Sequence, residues 1–422
     1  MRLLYVIATW LVFVALFPVL ALMKKTRDGL LQRLGFYPYG LIPGPGGPRI
    51  WLHGASAGDL LALSPMIDRL RARYPQAKVI VSTMTNTGHL MATERLRKNI
   101  DAVIYVPWDL YGATRRAVAA VKPDLLVLEY TEIWPNLIRA AHDSGARVAL
   151  TNGRFSARHL SRYRRLFNLI GNPLHDIDLF LMREEDEAER VLQLGAPKDR
   201  VVVTGNTKFD ALVPLAQAVE DHALREALGL GASARVWIAG STHEGEEEHL
   251  FEVYKKLVVD TPDLTMVVAP RYLERAERVA QLGREAGLHV GLRSKGNPER
   301  APVIVLDTIG ELGRAYRLAT LVFVGGSFIT RGGQNILEPA AQGKPVLFGP
   351  HMENFHDSVQ VLVGRGGIQV KDPEHLFRVM ADLLSRPDSL ESLGSLASNA
   401  VRQISGASDR NVDALAALVF RA

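Results

Sequence analysis

The sequence predicts an α/β protein built from two doubly wound parallel sheets and preceded by one membrane-spanning helix. Its 422 residues suit two domains of ordinary size. From Pro48 onward, short apolar runs alternate with stretches of helical period, which is typical of parallel sheets. Residues 3–23 contain no charge and are long enough to cross the hydrocarbon core of a bilayer.

The composition is that of a folded protein, with 47% hydrophobic and 23% charged residues. Because the sequence has no cysteine, disulfides, Cys-ligated zinc, iron–sulfur centres and thiol nucleophiles are excluded. The net charge is +5 and the positive residues are locally concentrated. That pattern favours an anionic surface or a phosphate over general nucleic-acid binding.

Residues 1–23 are predicted to form a retained membrane anchor. The run is longer than the core of a signal peptide and has no evident small-residue cleavage site, although a long buried helix would give the same pattern. Lys24, Lys25 and Arg27 follow the run directly. Since positive charge marks the cytoplasmic side of a span, we expect the globular part in the cytoplasm.

Two series of apolar runs predict the strands of two domains, an N-terminal domain over 24–213 and a C-terminal domain over 214–422, with the divide around 210 to 232. In such sheets, ligands bind beyond the carboxyl ends of the strands. The first series is RIWLHG, AKVIVSTM, DAVIYVP, DLLVLEY, ARVALTN and VVVTGN. The second is RVWIAGS, LTMVVAP, APVIVLD, LVFVGGS and KPVLFGP.

HGASAGDL places small residues after the first strand and Asp59 in the first turn of the next helix. A carboxylate there could act as the general base that takes the proton of an acceptor hydroxyl during inverting sugar transfer. Asp59 could equally stabilise the helix N-terminus, where Asp is favoured anyway. The segment is neither a Walker A loop nor a GxGxxG loop.

FVGGSFITRGGQNILEPAA predicts a strand, a glycine-rich loop and a helix opened by Asn335 that carries Glu338. Free main-chain amides in the loop would suit an anionic phosphate. Glu338 could accept hydrogen bonds from ribose hydroxyls, or it could be a solvated helix charge.

Further polar residues follow other strands. One such segment is Ser241, Thr242 and Glu244, which lie between a strand and a helix and could bind a ligand or simply cap the helix. His243 is only a candidate ligand. Lys208 and Arg271 supply cations that could meet a phosphate, although either could be a surface charge. No set of residues has metal-ligand spacing, so no metal site is predicted.

A cluster of arginines lies within twelve residues: Arg154, Arg158, Arg162, Arg164 and Arg165. Their spacing predicts that the first three share one helix face. The cluster is interpreted as a patch for lipid headgroups or a phosphorylated acceptor, or as a solvated basic helix.

The ordered motifs closely resemble those of the Kdo transferases, which transfer 3-deoxy-D-manno-oct-2-ulosonic acid (Kdo) from CMP-Kdo to a lipid A precursor in lipopolysaccharide synthesis. They are TMTNTG, TEIWPN, NGRFSAR, GNTKFD, STHEGEE, DTIGEL, FVGGSFITRGGQNILEPAA and GPHMENF. The resemblance implies a GT-B glycosyltransferase at the inner membrane, with two Rossmann-like domains facing a cleft. It further implies an acceptor-binding N-terminal domain, a CMP-binding C-terminal domain and no metal or other cofactor.

The same resemblance implies site residues. The CMP-contacting positions are Pro270, Arg271, Ile309, Gly310, Glu311, Asn335, Ile336, Leu337 and Glu338, to which Ser241 and Thr242 are added. Lys208 matches the residue that stabilises the transition state. The predicted catalytic set is Asp59, Lys208 and Glu129.

Two positions depart from the family pattern. Asp59 stands where the family has the glutamate of SVGE, and Tyr130 replaces the first carboxylate of ETELWPN. Glu129 is adjacent, but neighbours on a strand face opposite ways, so it can substitute only if the strand end turns. These departures motivate an alternative, a membrane-bound nucleotide- or lipid-binding scaffold with little catalysis. A GT-B enzyme that uses another donor, such as a UDP-sugar, is a further alternative.

Overall fold

The computed structural model describes residues 2–44, 46–212, 221–231, 233–296 and 301–420. It divides into two compact units, one of Met1–Ala211 with Ile404–Ala422 and one of Leu212–Gln403. Residues 213–220 and 232, which belong to the predicted divide, lie outside the described part of the chain.

The first unit is built on a seven-stranded parallel sheet of order β3-β2-β1-β4-β5-β6-β7. Its strands are β1 Arg49–His53, β2 Lys78–Thr83, β3 Ala102–Tyr105, β4 Leu125–Glu129, β5 Arg147–Gly153, β6 Leu179–Met182 and β7 Val201–Val203. Its helices are α1 Arg2–Leu22, α2 Lys24–Arg27, α3 Leu30–Arg33, α4 Ala57–Arg73, α5 Asn86–Met91, α6 Tyr111–Val121, α7 Pro135–Asp143, α8 Leu160–Ile170 and α9 Glu185–Gln193. Of these, α1 is long and apolar enough to cross a membrane.

The second unit repeats the architecture, with sheet order β10-β11-β9-β8-β12-β13-β14 and parallel strands throughout. The strands are β8 Arg235–Thr242, β9 Leu264–Pro270, β10 Val290–Leu292, β11 Val303–Val305, β12 Leu321–Val324, β13 Val346–Phe348 and β14 Gly367–Gln369. The helices are α10 His222–Ala227, α11 Glu247–Asp260, α12 Ala276–Glu285, α13 Leu312–Ala315, α14 Leu337–Ala341, α15 His356–Leu362, α16 Pro373–Leu384 and α17 Pro387–Ile404.

The last helix, α18 Ala407–Val419, belongs to the first unit, although the sequence analysis placed the whole of 214–422 in the second domain. The Asp210 carboxylate accepts the N–H groups of Gly406 and Ser408, each at 2.5 Å, and so fixes the start of this helix. Val412 and Leu415 are buried in the core of the first unit. Helix α18 therefore contributes to the core of the first unit, which the N-terminal half of the sequence otherwise builds.

The predicted strands are all present, and the prediction of parallel sheets is confirmed. Three further strands, β6, β10 and β14, were not predicted; they are short, and β10 and β14 each contain a glycine in place of an apolar residue. So short an apolar run carries too little periodicity to indicate a strand.

Candidate active site

The strand order of the first sheet reverses between β1 and β4, which lie side by side. His53 is the last residue of β1 and pairs with Leu128, so that Glu129 ends β4 next to it. In doubly wound sheets, ligands bind at the carboxyl ends of the strands where the order reverses. The segments after β1 and β4 are therefore the natural site of this unit.

Asp59 lies in the first turn of α4, where it completes a capping box. Ser56 is the N-cap, and its N–H and hydroxyl donate to Asp59 Oδ2 at 2.8 and 2.9 Å. Within the described residues, both bonds end on Oδ2, and the side chain is half-buried. The helix-stabilising interpretation of Asp59 therefore holds, and Oδ1 remains for a second partner.

Glu129 is completely buried and bonded through both carboxyl oxygens. Oε2 accepts the Thr151 hydroxyl at 2.6 Å, and Oε1 accepts the Asn152 amide at 2.5 Å. Burial raises the pKa of Glu129 to about 8; the Asp59 carboxylate adds to the rise, and Lys208 opposes it. Glu129 is thus an internal group that holds its proton to a higher pH than an ordinary glutamate does.

The strand end turns at Tyr130, whose φ is +57°. Its N–H still donates to Thr151 O at 2.9 Å, and its ring lies 5.4 Å from the Lys208 ammonium. The strand end therefore turns, as the substitution of Glu129 for the missing carboxylate at position 130 would require. The turn nevertheless leaves Glu129 facing inward, while the Tyr130 ring occupies the position under Lys208.

Lys208 is exposed, but the loop that carries it is fixed from below. Asn152 Oδ1 accepts the Thr207 N–H at 3.0 Å, and its amide donates to the Thr207 hydroxyl as well as to Glu129. One buried hydrogen-bonded network therefore joins Glu129, Asn152 and Thr207, and it ends next to Lys208. No role was predicted for Asn152 or Thr207, although both lie in polar segments at strand ends.

His53 and Glu132 form a second polar contact at this switch point. His53 Nδ1 lies 3.0 Å from Ser82 Oγ, and its Nε2 lies 3.6 Å from Glu132 Oε2. Glu132 in turn accepts the Trp134 indole N–H at 2.9 Å.

The predicted helical face of arginines is wrong. Arg154 and Arg158 precede α8, and only Arg162, Arg164 and Arg165 lie on it. The physical reason is that Phe155 is fully buried in the core and the Arg154 carbonyl accepts the Thr131 hydroxyl at 2.7 Å, which keeps this stretch extended.

In the second unit, the strand order reverses between β8 and β12. The amides of the glycine-rich loop after β12 were expected to be free for a phosphate. Instead, the buried Glu246 carboxylate accepts the N–H groups of Gly326, Ser327 and Phe328 at 2.7, 3.0 and 2.9 Å, and that of His243 at 2.9 Å. These amides already hold an anion, which the protein itself supplies.

Thr242 is likewise turned inward. Its hydroxyl donates to Glu247 Oε1 at 3.0 Å, and Glu247 is buried and paired with Arg275 at 2.7 Å. Burial raises the pKa of Glu247, against the effect of Arg275. Thr242 thus supports the strand end and does not present its hydroxyl to solvent, whereas Ser241, with φ of +56°, is half-buried.

The other predicted nucleotide-binding residues differ in exposure. Arg271, Ile309, Gly310 and Asn335 are exposed; Pro270, Glu311 and Glu338 are half-buried; Ile336 and Leu337 are buried. Glu311 is paired with Arg293 at 3.0 Å. Asn335 Oδ1 accepts the Leu337 N–H at 3.1 Å, although the helix begins at Leu337 and its N-cap is Ile336, so Asn335 lies one residue before the cap.

Glu338 has the least satisfied carboxylate of this group. Burial raises its pKa, and its side chain accepts no hydrogen bond from the residues described. A Cβ at Gly313 would lie 2.6 Å from Glu338 Oε1, so the glycine leaves room for this carboxylate. No group of three or more His, Asp or Glu that could hold a metal occurs in the described ranges.

Comparison with known proteins decides the family. A family model described as 3-deoxy-D-manno-octulosonic-acid transferase (kdotransferase) matches residues 28–211. The chain is 32% identical to the 3-deoxy-D-manno-octulosonic acid transferase of Haemophilus influenzae over 402 residues, which cover 93% of this chain and 91% of that protein. The chain belongs to the Kdo transferase family.

Another Kdo transferase, from Bordetella pertussis, is 33% identical over 88% of each chain. A solved glycosyltransferase from Rickettsia africae matches 89% of this chain with a TM-score of 0.59 and 12% identity, which indicates the fold alone. This Kdo transferase family member is therefore an enzyme of the glycosyltransferase class with a GT-B-like pair of parallel sheets, and the predicted family and fold class are confirmed.

Proposed function

We propose that this Kdo transferase family member moves Kdo from CMP-Kdo to a lipid A precursor at the inner membrane, with inversion at the sugar. The observation that carries the proposal is the convergence of Asp59, Glu129 and Lys208 at the switch point of the first sheet. Asp59 lies in the first turn of the helix after β1, Glu129 ends the adjacent strand β4, and Asn152 bonds both Glu129 and Thr207, the residue before Lys208. Enzymes place carboxylates and cations together where charge develops in a reaction.

Asp59 is the proposed base. Its Oδ2 is held by the Ser56 cap, so the carboxylate has a fixed orientation, and Oδ1 can accept the proton of the acceptor hydroxyl. The hydroxyl oxygen then forms a bond to the anomeric carbon as the bond to the CMP phosphate breaks. A base positioned in this way contributes about 10²–10⁴-fold in rate.

Lys208 is the proposed cation that stabilises the charge developing on the departing phosphate. Its ammonium lies over the Tyr130 ring, and its loop is tied to Glu129 through Asn152 and Thr207. We assign Glu129 a positioning role, because it is completely buried and holds Asn152, which in turn binds the Thr207 N–H next to Lys208.

The second unit is the proposed CMP site. Glu338 and Asn335 would receive the nucleoside and Arg271 the phosphate, with the main chain of Ile309–Glu311 beside them. The half-buried Glu338 carboxylate supports this assignment, since it accepts no hydrogen bond from the residues described and ribose hydroxyls are donors. No metal enters the proposed reaction.

The N-terminal helix α1 is the proposed anchor, with the two units on the cytoplasmic face. Its length and apolar composition support this location, as do the cations at positions 24, 25 and 27 in the sequence.

The direct test is mass spectrometry of the lipid product after incubation of the purified protein with CMP-Kdo and a lipid A precursor. We expect a product heavier by one or more Kdo units and the release of CMP over many turnovers. No CMP release with any acceptor would sink the transferase proposal.

One observation favours a second candidate, the scaffold. Asp59 already serves a capping box, so the residue could be present for helix stability alone. Tight CMP binding without turnover in the same assay would support this reading.

A further inference from the structure

An apolar groove of about 480 Å³ lies in the first unit between the N-terminal helix α1 and helix α8. Phe13 and Leu16 of α1 line one wall, Leu166 and Leu169 of α8 the other, and Trp108 and Trp134 also border it. The volume falls within the range of about 300–1,000 Å³ that is usual for small-molecule sites.

The surface of the groove is almost entirely carbon, because the polar side chains at its border are used internally. The Tyr5 hydroxyl donates to Asp109 Oδ2 at 2.7 Å, and the Thr9 hydroxyl donates to Val6 O at 3.0 Å. Asp109 also accepts the N–H groups of Asn136 and Leu137. Such a surface suits a hydrocarbon chain and offers nothing to a sugar or a nucleotide.

Helix α8 combines this apolar wall with positive charge. Arg162 and Arg165 precede Leu166 and Leu169 by four residues each, so each cation lies one turn before a leucine on the same face. All four side chains are exposed, Leu166 to 41% and Leu169 to 56%. Cations followed by an apolar ridge complement an anionic headgroup followed by its acyl chain.

The groove shares a wall with the candidate active site. Trp134 borders it, and the indole N–H of Trp134 donates to Glu132, whose carboxylate lies 3.6 Å from His53 at the end of β1. A hydrocarbon chain that lies in the groove would therefore place its headgroup near the switch point of the first sheet, where Asp59 lies.

We propose that this groove binds a fatty-acyl chain of the glycolipid acceptor, with Arg162 and Arg165 facing its anionic headgroup. The inference rests on the proposed transfer to a membrane glycolipid and adds a subsite to it. The acceptor's hydrocarbon is then part of what the enzyme recognises, and α1, which lies against the first unit at Tyr5 and Phe13, forms a wall of the substrate site.

The binding test uses the full-length protein in bilayers of unbrominated phospholipid. An acceptor glycolipid brominated on one acyl chain is added, and tryptophan fluorescence is followed, because bromine quenches Trp108 and Trp134 at short range. We expect stronger quenching than from the same amount of brominated phospholipid with matched chains. Equal quenching by the two lipids would overturn the proposal, since the groove would then hold only bulk lipid.

The kinetic test uses the double variant Leu166→Glu/Leu169→Glu, with Leu396→Glu as the matched control. All three leucines are exposed, so the fold tolerates the charge, and unchanged CMP affinity checks it. The ratio of kcat/KM for an acylated acceptor to that for a chain-free analogue should fall about tenfold in the double variant and stay constant in the control. An unchanged ratio in the double variant contradicts the proposal.

The two tests separate this inference from the proposed function. Quenching requires no sugar transfer, so specific quenching without turnover would support the chain-binding groove and sink the transferase. Turnover without specific quenching would support the transferase proposal and contradict the proposal that the groove binds an acyl chain.

Discussion

Each of the two sheets has a completely buried glutamate at its switch point, but the glutamates are held by different partners. Glu129 in the first unit is bonded by the side chains of Thr151 and Asn152, whereas Glu246 in the second is bonded by four main-chain N–H groups. Side-chain partners link Glu129 to the exposed Lys208 loop. Main-chain partners make Glu246 part of the fold of the glycine-rich loop.

The difference shows that similar strand ends can serve different purposes. In the first unit, charged groups remain at the surface beside the buried carboxyl group, which is what chemistry requires. In the second unit, the internal Glu246 carboxylate fills the anion-binding amides, so the proposed nucleotide site depends on residues beyond them, such as Asn335 and Glu338.

The largest effect expected from breaking the first arrangement is on turnover. Asp59→Asn keeps an oxygen that can accept the Ser56 N–H but loses the ability to take a proton. We predict a fall in kcat of about 10³-fold, measured as CMP release. The matched variant Ser56→Ala should cost about 1 kcal/mol of helix stability instead. Near-native turnover of Asp59→Asn would remove this residue from the mechanism.

In the second unit, the largest effect should be on stability. Glu246→Ala leaves four main-chain N–H groups without their acceptor, which we expect to cost about 3 kcal/mol or more. Urea denaturation and hydrogen exchange of the Gly326–Phe328 amides measure the change. The exposed neighbour provides the control, since Glu244→Ala should alter stability by less than about 0.5 kcal/mol. Unchanged amide protection in Glu246→Ala would refute the structural role.

The buried carboxyl group of the first unit should give stability a pH dependence. With a pKa raised to about 8, folded Glu129 holds its proton over a range in which the unfolded chain has lost it. Its contribution to stability is therefore complete below about pH 4.5 and is lost as the pH rises through about 8. Compared with Glu129→Gln, the native protein should lose about 3 kcal/mol between pH 6 and 9, since about two pH units of this range lie below the folded pKa at about 1.4 kcal/mol each.

Urea midpoints of both proteins across this pH range measure the effect. The exposed carboxyl variant Glu185→Gln should follow the native curve. Parallel curves for native protein and Glu129→Gln would mean that Glu129 is ionised in the fold.

The smallest expected effect concerns the ring beneath Lys208. Tyr130→Leu removes a cation–π contact of about 1 kcal/mol and should lower kcat several-fold. Tyr130→Phe keeps the ring and loses only a hydroxyl that is buried without a hydrogen-bond partner in the described structure. Its kcat should remain close to native, and an equal loss in both variants would assign the role to the hydroxyl.

Most of the fold could be read from the sequence because long buried strands have strong apolar runs, as β1 and β8 do. The position of α18 could not, since the bonds from Asp210 to Gly406 and Ser408 join residues almost 200 positions apart. Asp59, Lys208 and Glu338 could be proposed from the sequence because polar residues that follow strands mark the ligand-binding end of such sheets.

The sequence could not predict which carboxylates at the strand ends face inward to bind the protein's own N–H groups and which stay exposed. HEGEE contains three glutamates with the same local pattern, yet Glu246 turns inward and Glu244 is exposed. Only the path of the loop after β12, which is distant in sequence, decides which carboxylate receives its amides. The inward position of Glu129 likewise depends on Thr151 and Asn152 of the neighbouring strand.

The first unit is proposed to carry the chemistry and the second to bind the nucleotide. Calorimetric titration of CMP into native protein, Asp59→Asn and Glu338→Ala tests it most directly. The account predicts native affinity for Asp59→Asn and about tenfold weaker binding for Glu338→Ala, as expected for the loss of a hydrogen bond to a charged group. Weakened CMP binding by Asp59→Asn together with native binding by Glu338→Ala would contradict it.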